Sequence, residues 1–503
     1  MPPHTHTPTR SRTPSRGAAT PAAADAKPRK EAKHLGAYAV TDDNRVDWTP
    51  EKDAWDGTYE FGGAPGALAL MVFSHAIVYY MWICIDFFGG SAIYPGAPVL
   101  EGKPFVDTVS GIIRQHAMPS VTAVGFYLAT LVFNWLLAVV MPGVSCVGLP
   151  VASEGNRVRR YYCNGLSSFY VFAAVVATAH FSGAFPLQTL RDRWGEFLTS
   201  AIVVADSLAV GLYVTSFARG ANGGAVRNSG NPVYDYFMGR TLNPRLPFGV
   251  DLKMFAEIRA SWLTFNTLVW ACAADQYRRT GAVSGNMWLL VFINTAYTNA
   301  CQKGEELIPT TWDIHHEKFG WMLIFWNFVG VPFMYCSQAM YVSRHGDAFS
   351  SPTLVAFTLL FVGAYFVFDS ANSQKNKFRM LRVGADDSVL RRTWAFPQMP
   401  WRMIANPNTI KGPPGSGLEL FADGWFRVGA RKIHYTADLV IWGVWAAACG
   451  TRHFFVPYFQ FLFFAAMLAH RVSRDEAKCA RKYGKMWDEY CRVCRYRFIP
   501  GVY

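Results

Sequence analysis

The sequence predicts an all-α fold, a polytopic membrane helix bundle of about ten transmembrane helices. Three observations carry this reading. Of 503 residues, 51% are hydrophobic and only 17% charged, whereas soluble domains carry about 25% charged residues. The apolar residues collect in runs near 20 long, the length that crosses a hydrocarbon core as a helix. The basic residues behind the net charge of +13 gather in the stretches between and beyond those runs, as the positive-inside rule describes. Membrane topology therefore accounts for the basic charge, and no nucleic-acid partner is expected.

Residues 1–58 read as a disordered basic arm, rich in Pro, Thr, Ser, Ala and Arg at its start and without the apolar core of a secretory signal. Residues 59–503 form the membrane domain. Its ten runs are Ala67–Phe88, Ser120–Met141, Gly165–Phe185, Thr199–Ala218, Glu257–Ala274, Asn286–Cys301, Phe319–Val342, Thr353–Phe368, Ile433–Gly450 and His453–Ala469. Several are short or hold polar residues; such spans face other helices or a cavity, because polar groups facing lipid are costly. An even number of spans puts both termini on one side. The loop Val151–Arg160, the stretch Asp369–Lys432 and the tail from His470 share that side and hold most of the loop Lys and Arg, which places them in the cytosol. No internal repeat is visible, which argues against a transporter built from inverted halves. The ten cysteines are scattered, so no disulfide framework is expected. Cys491 and Cys494 form a lone CxxC, weak as a zinc site, and His315-His316 has no partner His box for non-haem iron; no metal is expected.

Four groups of residues could carry chemistry. In the tail, Asp475, Cys479, Lys482 and Tyr483 stand at i, i+4, i+7 and i+8, one helical face holding an acid, a thiol, a cation and a phenol. The competing reading is a basic amphipathic helix lying on anionic lipid. Lys375 and Arg379, one turn apart, follow the eighth run directly and also fit a positive-inside flank. Trp425, Arg431, His434 and Tyr435 stand at the mouth of the ninth run. Arg gives a bidentate fork and Lys a point charge, and with stacking aromatics these suit a phosphate-rich, ring-bearing ligand. No GxGxxG follows a strand, so a Rossmann site is excluded. The fourth group, Tyr297, Glu305, Glu306 and Asp313, lies in or beside the sixth run, where ionisable residues are functional candidates. The alternatives are an interfacial anchor for Tyr297 and a wet loop with Lys303 and Lys318 for the carboxylates.

Two long signatures give a resemblance. One runs from Gly230-Asn-Pro-Val-Tyr234 to Asn243-Pro-Arg245; the other is His470-Arg-x-x-Arg474-Asp475-x-x-x-Cys479-x-x-Lys482-Tyr483-Gly484. Together they resemble the sterol reductase family, which includes Δ14-, Δ7- and Δ24(28)-sterol reductases and the lamin B receptor, from about Tyr59 to Tyr503. Three further stretches, Tyr59–Gly63, Thr310–Gly320 and Phe325–Pro332, look most like its Δ24(24(1)) branch, which saturates the C24(28) side-chain double bond. The resemblance implies a multi-pass endoplasmic reticulum enzyme of sterol biosynthesis that uses NADPH. It also implies a cytosol-facing cofactor pocket, within about residues 370–503, and a sterol pocket open to lipid. Matched by motif, the NADPH contacts look like Lys375, Arg379, Trp425, Arg431, His434, Tyr435, Asp475, Cys479, Ala480, Arg481, Lys482, Tyr483 and Tyr490. The family often has Asn-Tyr where this chain has His434-Tyr435.

An unactivated alkene must be protonated before a hydride can add. For a C24(28) alkene, a proton at C28 leaves the cation at C24. Tyr297 falls where the family has a tyrosine proposed to act in protonation, and it is the first expectation for the acid, relayed through Glu305 or Asp313; Asp475 with Tyr490 is the second. The other readings are a Δ14- or Δ7-sterol reductase, a membrane methyltransferase using S-adenosylmethionine, and a non-enzymatic sterol-binding relative. The methyltransferase would leave the Lys375, Arg379 and Lys482 cations idle, since its cofactor has no phosphate. The expected partners are a sterol drawn from the membrane and the bilayer itself; other enzymes of the sterol pathway stay open as partners.

Overall fold

The computed structural model describes residues 55–93, 104–151, 157–218, 226–382, 396–414 and 418–502, with the backbone of 33–35 and 38–40. The expected disorder of the N-terminal arm, and Arg391 and Arg392 of the long basic stretch, lie outside the described residues.

The chain opens with a short antiparallel pair, β1 (Lys33–Leu35) and β2 (Tyr38–Val40). Helix α1 (Gly63–Asp86) starts where Gly62 and Gly63 take φ of 76° and 69°. The turn beneath it is so tight that a Cβ at Gly66 would stand 1.8 Å from the Phe61 carbonyl oxygen, so only glycine fits there. α2 (Phe105–His116) follows, then α3 (Val121–Val140), whose Ser120 hydroxyl accepts the Ala123 N–H at 3.1 Å as an N-cap. β3 (Val144–Val151) and β4 (Arg157–Cys163) form an antiparallel hairpin where the sequence had suggested only a loop. Its Cys146, Tyr161 and Cys163 pack with Met254, Ile258, Ile314 and Met380. An alternating strand facing other protein buries one side only, and that short pattern is easily missed among long apolar runs.

α4 (Gly165–Phe181), α5 (Gln188–Asp192) and α6 (Trp194–Thr215) lead to α7 (Pro232–Met238), which carries Asn231 as N-cap and proline in its first turn. α8 (Leu252–Phe255) runs through a π-turn at Ala256–Ala260 into α9 (Ser261–Thr280), closed by Gly281 at φ 73°. α10 (Gly285–Lys303) ends in a 3₁₀ turn, Gly304–Thr310, followed by α11 (Trp312–His315). The seventh run, expected as one span, is broken into α12 (Trp321–Phe325), a π-helical stretch Trp326–Met334, and α13 (Ser337–His345). Pro332 lacks the N–H that a regular helix would use there. α14 (Ser351–Arg382), the pair β5 (Thr409–Lys411) and β6 (Glu419–Phe421), α15 (Gly424–Val428), α16 (Ile433–Ala447), α17 (Phe455–Tyr483) and α18 (Lys485–Val493) complete the chain.

All ten apolar runs are helical, but among the described residues five helices, α1, α3, α6, α14 and α17, are long and apolar enough to cross a membrane. The others fall short for a physical reason. α10 turns Asn294, Thr298 and Asn299 inward, α9 buries Asp275 and Gln276, and α16 buries His434 and Asp438. These helices are sheathed by neighbours and have polar work inside the bundle. The main core includes Phe265, Phe328, Tyr335, Trp442 and Trp445, all at or below 5% exposure; truncating one such ring costs about 3–5 kcal/mol.

Two helices exceed the membrane. α14 has 32 residues and α17 has 29, which at 1.5 Å per residue is roughly 45 Å, against a core near 30 Å. Their last turns stand beyond the apolar windows and pack through a second apolar cluster of Phe378, Phe421, Phe426, Met486, Trp487 and Tyr490. Arg474 pairs with Glu60 just before α1, fastening the α17 extension to the start of the bundle. At the far end of α1, Asp86 pairs with the buried Arg191.

Candidate functional site

The projecting ends of α14 and α17, with the start of α16, bring the sequence-predicted cations together. Arg379 is exposed to solvent and has Tyr435, Asp475, Cys479 and Tyr483 as its electrostatic neighbours. Lys375, one turn earlier, shares Asp475 and Cys479 as neighbours, stands near Lys432 and Arg379, and lies 5.7 Å over the Phe426 ring. Asp475 ion-pairs with Lys432 and accepts from the Cys479 thiol at 3.8 Å. Burial disfavours the Lys432 ammonium, but Asp475 outweighs it and holds the lysine above its ordinary pKa. Arg471 reaches Asp313 at 2.8 Å and has Tyr435 beside it. Clustering like charges costs free energy that a multivalent anion returns.

The aromatic side is equally organised. The Trp425 indole donates to the Ser370 hydroxyl at 2.7 Å and its backbone N–H to Gln374 at 3.1 Å, so α14 holds the ring. His434 lies 4.3 Å from Tyr435 between centroids, with its Nδ1 buried and unpartnered.

Not every expected residue joins this cluster. Arg431 is buried: Nε donates to Glu476 at 2.8 Å, and NH1 donates to the carbonyls of Cys494 and Arg495 at 2.9 and 3.0 Å. Its fork is consumed in tying the tail to α17, which makes it a positioning residue. Ala480 and Arg481 lie exposed on the outer face of α17. Tyr490 is packed against Trp487 at 5.1 Å in the second apolar cluster. Burial, with Cys494 adding to it, pushes its phenol well above the usual range, so it is a poorer proton donor than an open tyrosine.

Tyr297 departs furthest from expectation. Its hydroxyl donates to Asp438 Oδ1 at 2.9 Å, from α10 across to α16. Both are buried, and Trp262, Phe368, Trp442 and Trp445 surround the phenol ring with centroids at 5.2–6.3 Å. Among the described residues no cation pairs with Asp438. The relay expected through Glu305 or Asp313 is absent from this geometry. Glu305 pairs with Arg259 at 2.9 Å and accepts the Gly165 N–H at 2.6 Å, while Asp313 is held by Arg471. Glu306 is likewise committed, to Lys377 at 3.0 Å. Each carboxylate answers a nearby arginine or lysine, a pairing that only the fold makes. Asp438 was missed although the sequence signalled it, as an aspartate inside an apolar run.

Two cavities, of about 370 Å³ by Tyr59 and Asn231 and about 310 Å³ by Asp86 and Arg191, lie apart from these residues.

The fold and site define a class, a helical membrane protein with an open cationic cluster and, one turn further along α16, a buried phenol–carboxyl pair. The profile described as Ergosterol biosynthesis ERG4/ERG24 family matches residues 56–503, and the chain belongs to that family of sterol reductases. It is 40% identical to a Delta(24(24(1)))-sterol reductase of Gibberella zeae, over 90% of this chain and 75% of the relative. It is 36% identical to Delta(24(24(1)))-sterol reductase erg4A of Aspergillus fumigatus, over 92% and 96%. It is also 34% identical to a Delta(14)-sterol reductase of Methylotuvimicrobium alcaliphilum, over 90% and 97%.

Proposed function

We propose that this chain is an NADPH-dependent Δ24(24(1))-sterol reductase of the endoplasmic reticulum membrane, with both termini cytosolic, acting on the C24(28) double bond of a membrane sterol. The substrate assignment is supported by the names of the two relatives above. The chemistry rests on one observation, the Tyr297–Asp438 pair buried among aromatic rings one turn of α16 from His434.

The residues present fit NADPH. Lys375, Arg379, Lys432, Arg471 and Lys482 outnumber Asp475, Asp313 and Glu257 in the cluster, and would hold its phosphates. Tyr435, His434 and Trp425 offer rings to its planar groups. Bound there, the cofactor supplies a hydride. The chain supplies the rest. Tyr297 delivers its proton to C28, and the phenolate left behind regains one through Asp438, to which it is hydrogen-bonded and which is itself recharged with a proton from solvent before the next turnover. The electron-rich faces of Trp262, Phe368 and Trp445 lower the energy of a cation at C24, and burial keeps water from trapping it. Arg431 and Trp425 position the cationic groups by fixing the tail and α15.

The test is turnover by purified protein in nanodiscs with two sterols, one unsaturated at C24(28) and one at C14. The expected product is the saturated side chain, formed with NADPH and poorly with NADH. Saturation of the ring double bond alone would replace this reading with a Δ14-reductase.

A further inference from the structure

His315 was read from the sequence as half of an isolated histidine pair, and the mechanism above does not use it. It sits on α11, a segment fastened to the projecting part of α17. Arg471 holds Asp313 at 2.8 Å, and the Lys478 ammonium lies 3.7 Å over the Trp312 ring. Arg471, Lys478 and Lys482 are spaced by seven and four residues, one stripe of a helix. The stripe's last member, Lys482, is an electrostatic neighbour of His315. Two other elements add charge: Arg379 from α14, and Lys253 from α8, whose ammonium donates to the Ile314 carbonyl at 3.0 Å. On its own segment, His316 is engaged by Arg227, and Asp313 is already paired with Arg471. His315 therefore faces three cations, and a carboxyl without an ion pair among the described residues, Glu257, stands beside Lys253, Arg471 and Asp313.

The tautomer is fixed. Nδ1 lies 2.6 Å from the Thr311 carbonyl, which can only accept, so Nδ1 carries the proton. Nε2 is then a lone pair. It has no partner among the described residues and is not among the fully buried atoms, so the half-buried ring keeps this edge in contact with solvent. Burial, with Arg379, Lys253 and Lys482 adding to it and the Thr311 carbonyl opposing, holds the imidazole down to about 4. A cation-facing acceptor is useless to a phosphate while neutral and becomes a donor once charged.

We propose that His315 is a further residue of the cofactor site: its open Nε2 takes up a proton from solvent when a cofactor phosphate settles at Arg379 and Lys482, which couples cofactor binding to pH. This rests on the NADPH reading above. The phosphate offsets the surrounding positive charge and accepts the new N–H, so both effects that keep the ring neutral weaken together. By linkage, binding then tightens as pH falls.

The experiment is calorimetric titration of NADP+, which withstands mild acid, into the full chain in nanodiscs at pH about 6, in two buffers of different ionisation enthalpy. The expected result is that wild type takes up about half to one proton more per bound cofactor than His315→Gln, the difference cancelling the proton that the cofactor's own 2′-phosphate, which titrates near pH about 6, gives up on binding to cations. At pH about 8, where the ring is neutral bound or free, wild type and variant should bind alike, which also shows that the variant is folded. NADP+ binding with the same proton exchange in wild type and His315→Gln would overturn the proposal and leave the cofactor reading intact. No NADP+ binding to wild type would overturn both.

Discussion

The Tyr297 hydroxyl donates to Asp438 Oδ1 at 2.9 Å, joining α10 to α16, and among the described residues no cation pairs with the carboxyl. A buried carboxyl and phenol sharing a hydrogen bond in an aromatic enclosure can hold and pass a single proton. His434 and Tyr435 lie four and three residues before Asp438 on α16, so one helix carries residues of both the cationic cluster and the proton-holding pair.

Tyr297→Phe should lower kcat by about 10²–10⁴, the usual contribution of a positioned acid, with cofactor affinity near normal. Asp438→Asn should give a loss of similar order, since the pair works as a unit. Tyr490→Phe should retain most turnover. Single-turnover rates with saturating NADPH make the comparison, and Tyr297→Phe keeping more than about half of wild-type turnover would remove it from the acid role.

Arg379→Ala should raise the KM for NADPH roughly tenfold to a hundredfold, the effect of losing charge-assisted bonds worth about 1.5–3 kcal/mol. Lys375→Ala should act in the same direction. Steady-state kinetics with NADPH and NADH check whether the loss falls on the phosphorylated cofactor. Equal use of both by the wild type would mean that no 2′-phosphate is read.

Arg431 should report on stability. Arg431→Ala leaves Glu476 and two carbonyls short of a donor, and removing one member of a buried ion pair costs about 3–5 kcal/mol. Arg497 also reaches Glu476, so the low end applies. Arg431→Lys should not rescue it, because an ammonium cannot reproduce the guanidinium fork. Thermal unfolding in detergent is the measure, with the loss expected in Tm.

The histidine pair sets an acid limit. Burial, with Arg227, Lys478, His315 and Lys253 adding to it, holds His316 down to about 2, and His315 is held to about 4. In the unfolded chain both titrate near 6.5. The unfolded state therefore binds more protons below that value, and stability should fall as pH drops from about 6.5 toward 4. His316→Asn should flatten that decline in thermal melts between pH about 7 and 4.5. An equally steep decline in the variant would assign it to other groups.

The helices and the ends of the cationic cluster were legible because they depend on local pattern. Apolar runs of helical length report α1, α3 and α14 directly, and the spacing of Asp475, Cys479 and Tyr483 places them along neighbouring turns of α17 without reference to any partner. Lys375 and Arg379 were found the same way. The sequence alone therefore determined the helical membrane class, the clustering of cations after the late spans, and the family signatures.

Pairings across the fold were decided by tertiary structure alone. Nothing within Glu305 to Asp313 tells that Arg259 takes one carboxylate and Arg471 another, or that Arg431 is used up on Glu476. Tyr297 finds Asp438 across 141 residues. Periodicity reveals which face a residue occupies. Which charge stands opposite depends on how the helices pack, because a buried ionisable group must meet whatever partner the packing supplies.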